Sequence, residues 1–179
     1  MKKQKTFAYI AIAVGVVSMA LSAIFVKMSA SPSGLTAFYR MLITVLIMLP
    51  FFVRNNIREL FLFSKRDWII CSAAGALLAF HFILWFESLN YTSVASSTVL
   101  VTLQPLFAFV GTYLFFKEVI SMKAIVAACI AIAGSVLISW GDFLISGSAL
   151  YGDLLALIAC ALVTGYFLLG QSVRGHLSL

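Results

Sequence analysis

Charged residues are scarce in this sequence. Asp, Glu, Lys and Arg make up 10% of its 179 residues, whereas 63% are hydrophobic. An ordinary soluble domain has about 25% charged and roughly 45–50% apolar residues. A soluble chain of this length could not bury so much apolar surface, so the composition excludes a soluble domain and indicates an integral membrane protein.

Motifs for catalysis, cofactors and metals are also missing. The sequence contains no HExxH, no GxSxG and no glycine-rich phosphate loop. Cys71, Cys129 and Cys160 stand alone in apolar runs without a CxxC pair or a nearby His, so we interpret them as small hydrophobic side chains. The Gly-Asp pairs at Asp142 and Asp153 lack the extra glycine of an intramembrane aspartyl protease and are interpreted as helix-boundary residues. We therefore predict no enzyme activity, no cofactor and no metal site.

Long apolar runs divide the chain. A run of about 18 or more residues can cross the roughly 30 Å hydrocarbon core of a bilayer as a helix. The predicted spans are residues 6–26, 35–53, 68–86, 92–116, 124–140 and 149–172. The first run is longer than the roughly 7–15-residue core of a signal peptide, so we interpret it as a retained helix. Barrel strands would alternate apolar and polar residues, and these runs do not. The prediction is an all-α membrane protein of about six transmembrane helices.

Short polar segments connect the spans. The basic segment Arg54–Asp67 has apolar residues at helical spacing, which predicts a short helix lying on the membrane surface. Ser64 and Asp67 have the spacing of a capping box at the start of the third span. Ser121 is placed to cap the fifth span.

The basic residues predict the orientation. If the N-terminus is cytoplasmic, the inner loops and ends hold ten of the twelve basic residues. These are Lys2, Lys3, Lys5, Arg54, Arg58, Lys65, Arg66, Lys117, Lys123 and Arg174. Only Lys27 and Arg40 fall on the outer side. The positive-inside rule therefore places both ends of the chain in the cytoplasm. Because the basic residues form no single patch, nucleic acid is excluded as a partner, and the lipid bilayer is expected instead.

Polar residues inside the third and fourth spans are the candidates for a substrate pathway, since polar groups in hydrocarbon usually face a bundle interior or a wet cavity. The candidates are His81, Trp85, Thr98, Thr102, Gln104 and Pro105. His81 and Trp85 share one helical face. Pro105 cannot donate to the carbonyl of Val101, so the helix should kink there. The alternative is that the hydroxyls bond to their own helices and that the proline is a packing kink.

Arg40 and Glu87 are candidate charges of an outer vestibule. Arg40 lies about five residues inside its span, roughly 7–8 Å deep. It either pairs with Glu87 or attracts an anionic group of a substrate. On the fifth span, Ala124, Ala131 and Ser135 belong to a stripe of small residues that suits helix packing or self-association.

The order and spacing of several short segments resemble the EamA-type repeat of the drug/metabolite transporter superfamily. The segments are Ser31–Pro32, Phe38–Arg40, Ser88–Ser93, Leu103–Pro105, Phe115–Glu118 and Ala133–Ile138. They cover roughly residues 8 to 140, and Gly152–Leu157 resembles the opening of a second copy. The sequence departs from the family at Ala127, where a glycine is common, and near Val163, where a tryptophan is common.

The resemblance implies ten helices in two inverted five-helix halves. Residues 1–147 would be the first EamA-like repeat, and residues 148–179 the first helix of a second, incomplete repeat. It also implies a multi-pass protein of the cell membrane that exports small metabolites or drug-like compounds by alternating access. The alternative is a non-transporting membrane protein, either an assembly partner or a truncated remnant of a transporter gene. Because the sixth span lacks the other helices of its own repeat, we expect it to be weakly held.

Overall fold

The computed structural model describes residues 2–29, 31–117 and 121–174 and is helical, without strands, in those ranges. The helices are α1 (Lys2–Met28), α2 (Ser33–Asn55), α3 (Lys65–Ser88), α4 (Val94–Val101), α5 (Gln104–Phe116), α6 (Met122–Ile145) and α7 (Ala149–Arg174), with a 3-10 helix at Ile57–Leu62. Six stretches of the described chain are long and apolar enough to cross a membrane, and α4 and α5 share the fourth. The predicted all-α fold with six spans is confirmed. Glu118 of the family segment lies outside the described residues.

The predicted caps are present. Ser64 Oγ accepts from the N–H of Asp67 at 3.2 Å, and Asp67 Oδ2 accepts from the N–H of Ser64 at 2.9 Å. This reciprocal pair satisfies two N–H groups at the start of α3. Ser121 Oγ accepts from the N–H of Ala124 at 3.3 Å, so Ser121 caps α6 as expected. The basic segment between α2 and α3 contains only the short 3-10 helix.

The fourth span is interrupted within its apolar stretch. Helix α4 ends at Val101, and α5 begins at Gln104 with Pro105 in its first turn. The N–H of Thr102 lies 3.1 Å from the carbonyls of both Thr98 and Val99, which tightens the end of α4. Pro105 has no N–H, so it cannot donate the next backbone hydrogen bond of the helix. The predicted kink is therefore a complete break between two helices.

Helix α7 occupies the centre of the bundle, where it packs most extensively against α3 and also against α4, α5 and α6. It has the largest buried share of the six spans. Ala156, Ala159 and Cys160 on α7 are fully buried, and such small side chains let helices approach closely in lipid. The expectation that the sixth span is weakly held is wrong, because α3 and α4 already provide it with a packed interface.

The stripe of small residues on α6 lies mostly outside this packing. Ala127 and Ala131 are exposed, Ala124 and Ala128 are half-buried, and Ser135 near the middle of α6 is buried. Helices α1 and α2 are likewise exposed along most of their length. The packed core therefore consists chiefly of α3, α4 and α7.

Candidate functional site

A polar cluster joins several helices around the turn between α3 and α4. We call Lys27, Thr92, Ser96, Asp142 and Asp153 the outer cluster. Asp153 Oδ1 accepts hydrogen bonds from Thr92 Oγ1 and Ser96 Oγ, each at 2.8 Å. Thr92 Oγ1 also lies 3.3 Å from Asp142 Oδ2, so two carboxylates share one hydroxyl. Asp153 is only 7% exposed. Its carboxyl oxygen therefore interacts with these neighbouring side chains and is largely enclosed by the protein.

The outer cluster also binds the backbone of the turn between α3 and α4. Lys27 Nζ donates to the carbonyls of Leu89 at 2.6 Å and Thr92 at 2.7 Å. Asp142 Oδ2 accepts from the N–H of Ser93 at 3.2 Å. An anionic oxygen is favourable there because Ser93 is the N-cap of α4. Contacts from α1, α6 and α7 thus fix this turn.

Gly152 brings α7 close enough for Asp153 to reach the turn. A Cβ atom at Gly152 would lie 2.9 Å from Ser88 O, from Thr92 N and from Thr92 Cβ. Two of these are backbone atoms of a hydrogen-bonded turn and cannot move away cheaply. Glycine is therefore required by the close approach of the two backbones.

Asp142 and Asp153 were missed as site residues, since the sequence reasoning treated both as helix boundaries. One signal was available in the sequence, because Asp153 is an acidic residue inside an otherwise apolar run and intramembrane acids are usually functional or paired. Its partners Thr92 and Ser96 come from a different span, which sequence spacing did not reveal.

Arg40 lies over the aromatic face of α3. Its guanidinium carbon is 4.6 Å from the centroid of Phe82, 5.6 Å from Phe86 and 5.8 Å from Trp85. Arg40 Nη1 donates to Ser22 Oγ on α1 at 2.9 Å. The half-buried guanidinium of Arg40 is therefore stabilised by the faces of aromatic rings and by one neutral hydroxyl.

The expected pairing of Arg40 with Glu87 is wrong. Within the described residues they form no ion pair, and Glu87 Oε2 instead accepts from Asn90 Nδ2 at 3.3 Å. Glu87 lies at the end of α3, where Asn90 is three residues further along the same chain segment. The local contact replaces the predicted long-range one.

His81 and Trp85 are brought together with Arg40 but are covered by other helices. The rings of His81 and Trp85 stack with centroids 5.8 Å apart. His81 Nδ1 is 2.8 Å from the carbonyl of Ala159 on α7. Trp85 is 3% exposed, and its Nε1–H is buried without a hydrogen-bond partner. The N–H of Trp85 is thus a donor that the described protein groups leave unused.

The candidates of the fourth span behave differently from one another. Thr98 Oγ1 is buried and has no hydrogen-bond partner among the described residues. Thr102 is exposed, and its hydroxyl donates to the carbonyl of Val99 at 2.7 Å, as the alternative interpretation allowed. Gln104 is half-buried and Pro105 is exposed at the start of α5. In the part of the chain that the structure describes, no hydrogen bond or ring contact joins these four residues to His81 or Trp85.

Grooves border these groups, and two of them exceed 400 Å³. One, of about 560 Å³, lies between α4, α5, α6 and α7; it is apolar except for Ser135, Ser139 and Asp153. The other, of about 430 Å³, lies between α1 and α2 and includes Ser22, the hydroxyl partner of Arg40. Both volumes fall in the range of about 300–1,000 Å³ that is typical of small-molecule sites.

Residues 6–140 match the EamA-like transporter family. The chain belongs to this family. No match was found among curated proteins or among solved structures. The EamA-like family is one of membrane transporters of the drug/metabolite superfamily and not of enzymes. Together with the six apolar helices, membership makes the chain a multi-pass membrane protein whose environment is a lipid bilayer and whose cargo is a small molecule.

The EamA-like region contains most of the groups described above. Arg40, the turn around Thr92 and the break before Pro105 fall inside residues 6–140. Asp142 and Asp153 fall beyond the matched residues. The outer cluster therefore joins the EamA-like region to α7.

Proposed function

We propose that this EamA-like protein exports small metabolites or drug-like compounds across the cell membrane by alternating access. The observation that carries the proposal is the break in the fourth span, which separates α4 from α5 inside an apolar stretch. Transporters build sites from interrupted helices, because the freed backbone and nearby polar side chains can bind a substrate in the membrane. Family membership supports the same conclusion.

Unused hydrogen-bonding groups support a pathway near this break. Thr98 Oγ1 on α4 and Trp85 Nε1 on α3 are buried, and no described group forms a hydrogen bond with either. A buried polar group without a partner costs about 1–3 kcal/mol, so a polar ligand that pairs with it recovers that energy. We propose that the pathway includes these two groups together with His81, Gln104, Thr102 and Pro105.

We further propose that residues 1–147 form one half of the transport unit and that residues 148–179 begin the second half. The outer cluster would connect the two halves, because Asp153 of α7 accepts hydrogen bonds there from Thr92 and Ser96. Rocking of one half against the other would then have to break or rearrange these hydrogen bonds.

Replacing Thr98 tests the pathway. Cells that overproduce the protein should retain less of an exported amino acid or cationic dye than cells without it. We expect Thr98→Leu to lower the efflux rate at least about fivefold, because an intramembrane hydrogen bond is worth about 1–2 kcal/mol. Thr98→Val, which removes the hydroxyl at nearly constant volume, should also slow efflux.

Leu137→Phe is the matched control, since Leu137 is 77% exposed on the surface of α6. Its efflux should equal that of the unchanged protein. Unchanged efflux in both Thr98 variants would remove Thr98 from the pathway. Equal dye retention with and without the protein would favour the non-transporting alternative.

The proposed orientation gives a topology prediction. Reporter fusions after Val53, Val119 and Leu179 should be cytoplasmic, and fusions after Tyr91 and Ser146 should be external, because the inner segments hold ten of the twelve basic residues. At each site, an alkaline phosphatase fusion reports an external position and a fluorescent protein fusion reports a cytoplasmic one. An external signal at Val53 together with a cytoplasmic signal at Tyr91 would reverse the orientation.

A further inference from the structure

We propose that Arg40 is the anion-binding group of the substrate site and that the cargo carries a carboxylate. The inference rests on the proposed transport function, because it names the class of molecule that this function would move. The binding step itself depends only on the surroundings of Arg40.

The guanidinium of Arg40 lacks an anionic partner among the described residues. It has five N–H donors in a planar fork, and the side chain that accepts from it is the neutral hydroxyl of Ser22. Its other neighbours are the faces of Phe82, Phe86 and Trp85. Contacts with ring faces stabilise the charge and leave in-plane N–H groups free for an acceptor.

The position of Arg40 makes an unpaired charge costly. It lies seven residues into α2, which begins at Ser33, or roughly 10 Å along the helix axis. Charged side chains at such depths are rare and usually face a site or a partner. Since Glu87 bonds to Asn90 instead, we infer that the partner of Arg40 is supplied by the ligand.

A groove reaches Ser22, the hydroxyl partner of Arg40. The groove of about 430 Å³ between α1 and α2 is lined by apolar side chains of α1 and by the hydroxyls of Ser18, Ser22, Ser29 and Thr36. Ser29 follows α1 and Thr36 lies in the first turns of α2, so the groove extends from the outer end of these helices to the level of Ser22. The hydroxyls of Ser18 and Ser29 can donate to a carboxylate that has entered along it, whereas the Thr36 hydroxyl donates to the carbonyl of Pro32.

Two features favour a carboxylate over other anions. A guanidinium binds carboxylate and phosphate with the same fork, but its single positive charge balances a carboxylate and only half the charge of a phosphate dianion. The next cation on the same side, Lys27, is occupied by the carbonyls of Leu89 and Thr92. The ring faces beside Arg40 suit the apolar body of a small organic acid.

Tryptophan fluorescence tests the inference directly. Trp68→Phe and Trp140→Phe change two exposed tryptophans and leave Trp85, whose ring lies 5.8 Å from the guanidinium carbon, as the reporter. The purified chain in detergent is titrated with acetate, benzoate and phenylacetate, with their amides, and with inorganic phosphate, at constant ionic strength. We expect saturable changes in Trp85 emission with the acids and none with the amides.

Variants identify the group responsible. Arg40→Gln should weaken the acid response by about 10- to 100-fold, as expected for loss of a charge-assisted hydrogen bond. Arg54→Gln, at the exposed end of the same helix, should leave it unchanged. Ser22→Ala should preserve or strengthen the response, because it frees a donor of Arg40; a merely structural Arg40–Ser22 contact would instead give the same loss in both variants.

Four results would overturn the inference: no response to any of the three acids, equal responses to acids and amides, an Arg40→Gln variant that binds as before, or tighter binding of phosphate than of the acids. Saturable binding through Arg40 combined with absent efflux in cells would contradict the proposed transport function and leave the carboxylate site standing.

Discussion

Gly152→Val should lower the free energy of unfolding by about 3 kcal/mol or more, at the upper end of overpacking costs. A Cβ at this position would come within 2.9 Å of backbone atoms of Ser88 and Thr92, and valine adds two methyl groups beyond it. Helix α7 would have to move away from the turn that Asp153 binds. The measurement is the thermal midpoint at which the purified protein loses its monodisperse peak in size-exclusion chromatography.

Gly170→Val is the matched control because it lies on the same helix and a Cβ there meets no atom within 4 Å. Its midpoint should stay close to that of the unchanged protein. Gly152→Ala should fall between the two. Equal midpoints for Gly152→Val and Gly170→Val would show that α7 does not approach the turn as closely as described.

Asp153→Leu should destabilise the bundle by about 2–3 kcal/mol. The substitution removes the acceptor that Thr92 and Ser96 share, and a buried polar group left without its partner costs about 1–3 kcal/mol. Part of the loss is recovered, because Thr92 can bond to Asp142 and Ser96 lies 2.9 Å from Ser139. Asp153→Asn keeps an acceptor oxygen and should cost less, about 1 kcal/mol.

Asp142→Leu provides the comparison for Asp153. Asp142 is only half-buried, and its bonds to Thr92 and Ser93 are longer, at 3.3 and 3.2 Å. We expect a smaller decrease in thermal midpoint than for Asp153→Leu. If Asp142→Leu lowered the midpoint more than Asp153→Leu, the hydrogen bonds of α6 would contribute more to the stability of the outer cluster than those of α7.

Local features of the fold were predictable from the sequence. Six long apolar runs predict six spans because each run meets the length requirement of the bilayer by itself. Pro105 predicts an interruption because the missing N–H acts within one turn of the same helix. The capping pair Ser64 and Asp67 lies three residues apart, so its hydrogen bonds also depend on local spacing alone.

Contacts between distant segments were not predictable in the same way. Arg40 was expected to pair with Glu87 because both lie near the outer side, but charge alone did not reveal that Ser22 and the ring of Phe82 would be nearer. Asp153 binds Thr92 from another helix. Such pairings depend on which helices become neighbours, and a span that is apolar all round carries little information about its rotation.

The central position of α7 has a consequence for how the protein is made. His81 and the carbonyl of Ala159, which it contacts, are 78 residues apart in the chain. At synthesis rates of about 5–20 residues per second, His81 leaves the ribosome roughly 4–16 s before Ala159 does. During that interval α3 lies in the bilayer with its buried face uncovered by its main partner. The order of synthesis therefore makes insertion of α7 the step that covers the buried face of α3, and until then α3 depends on lipid, on the earlier spans or on insertion machinery.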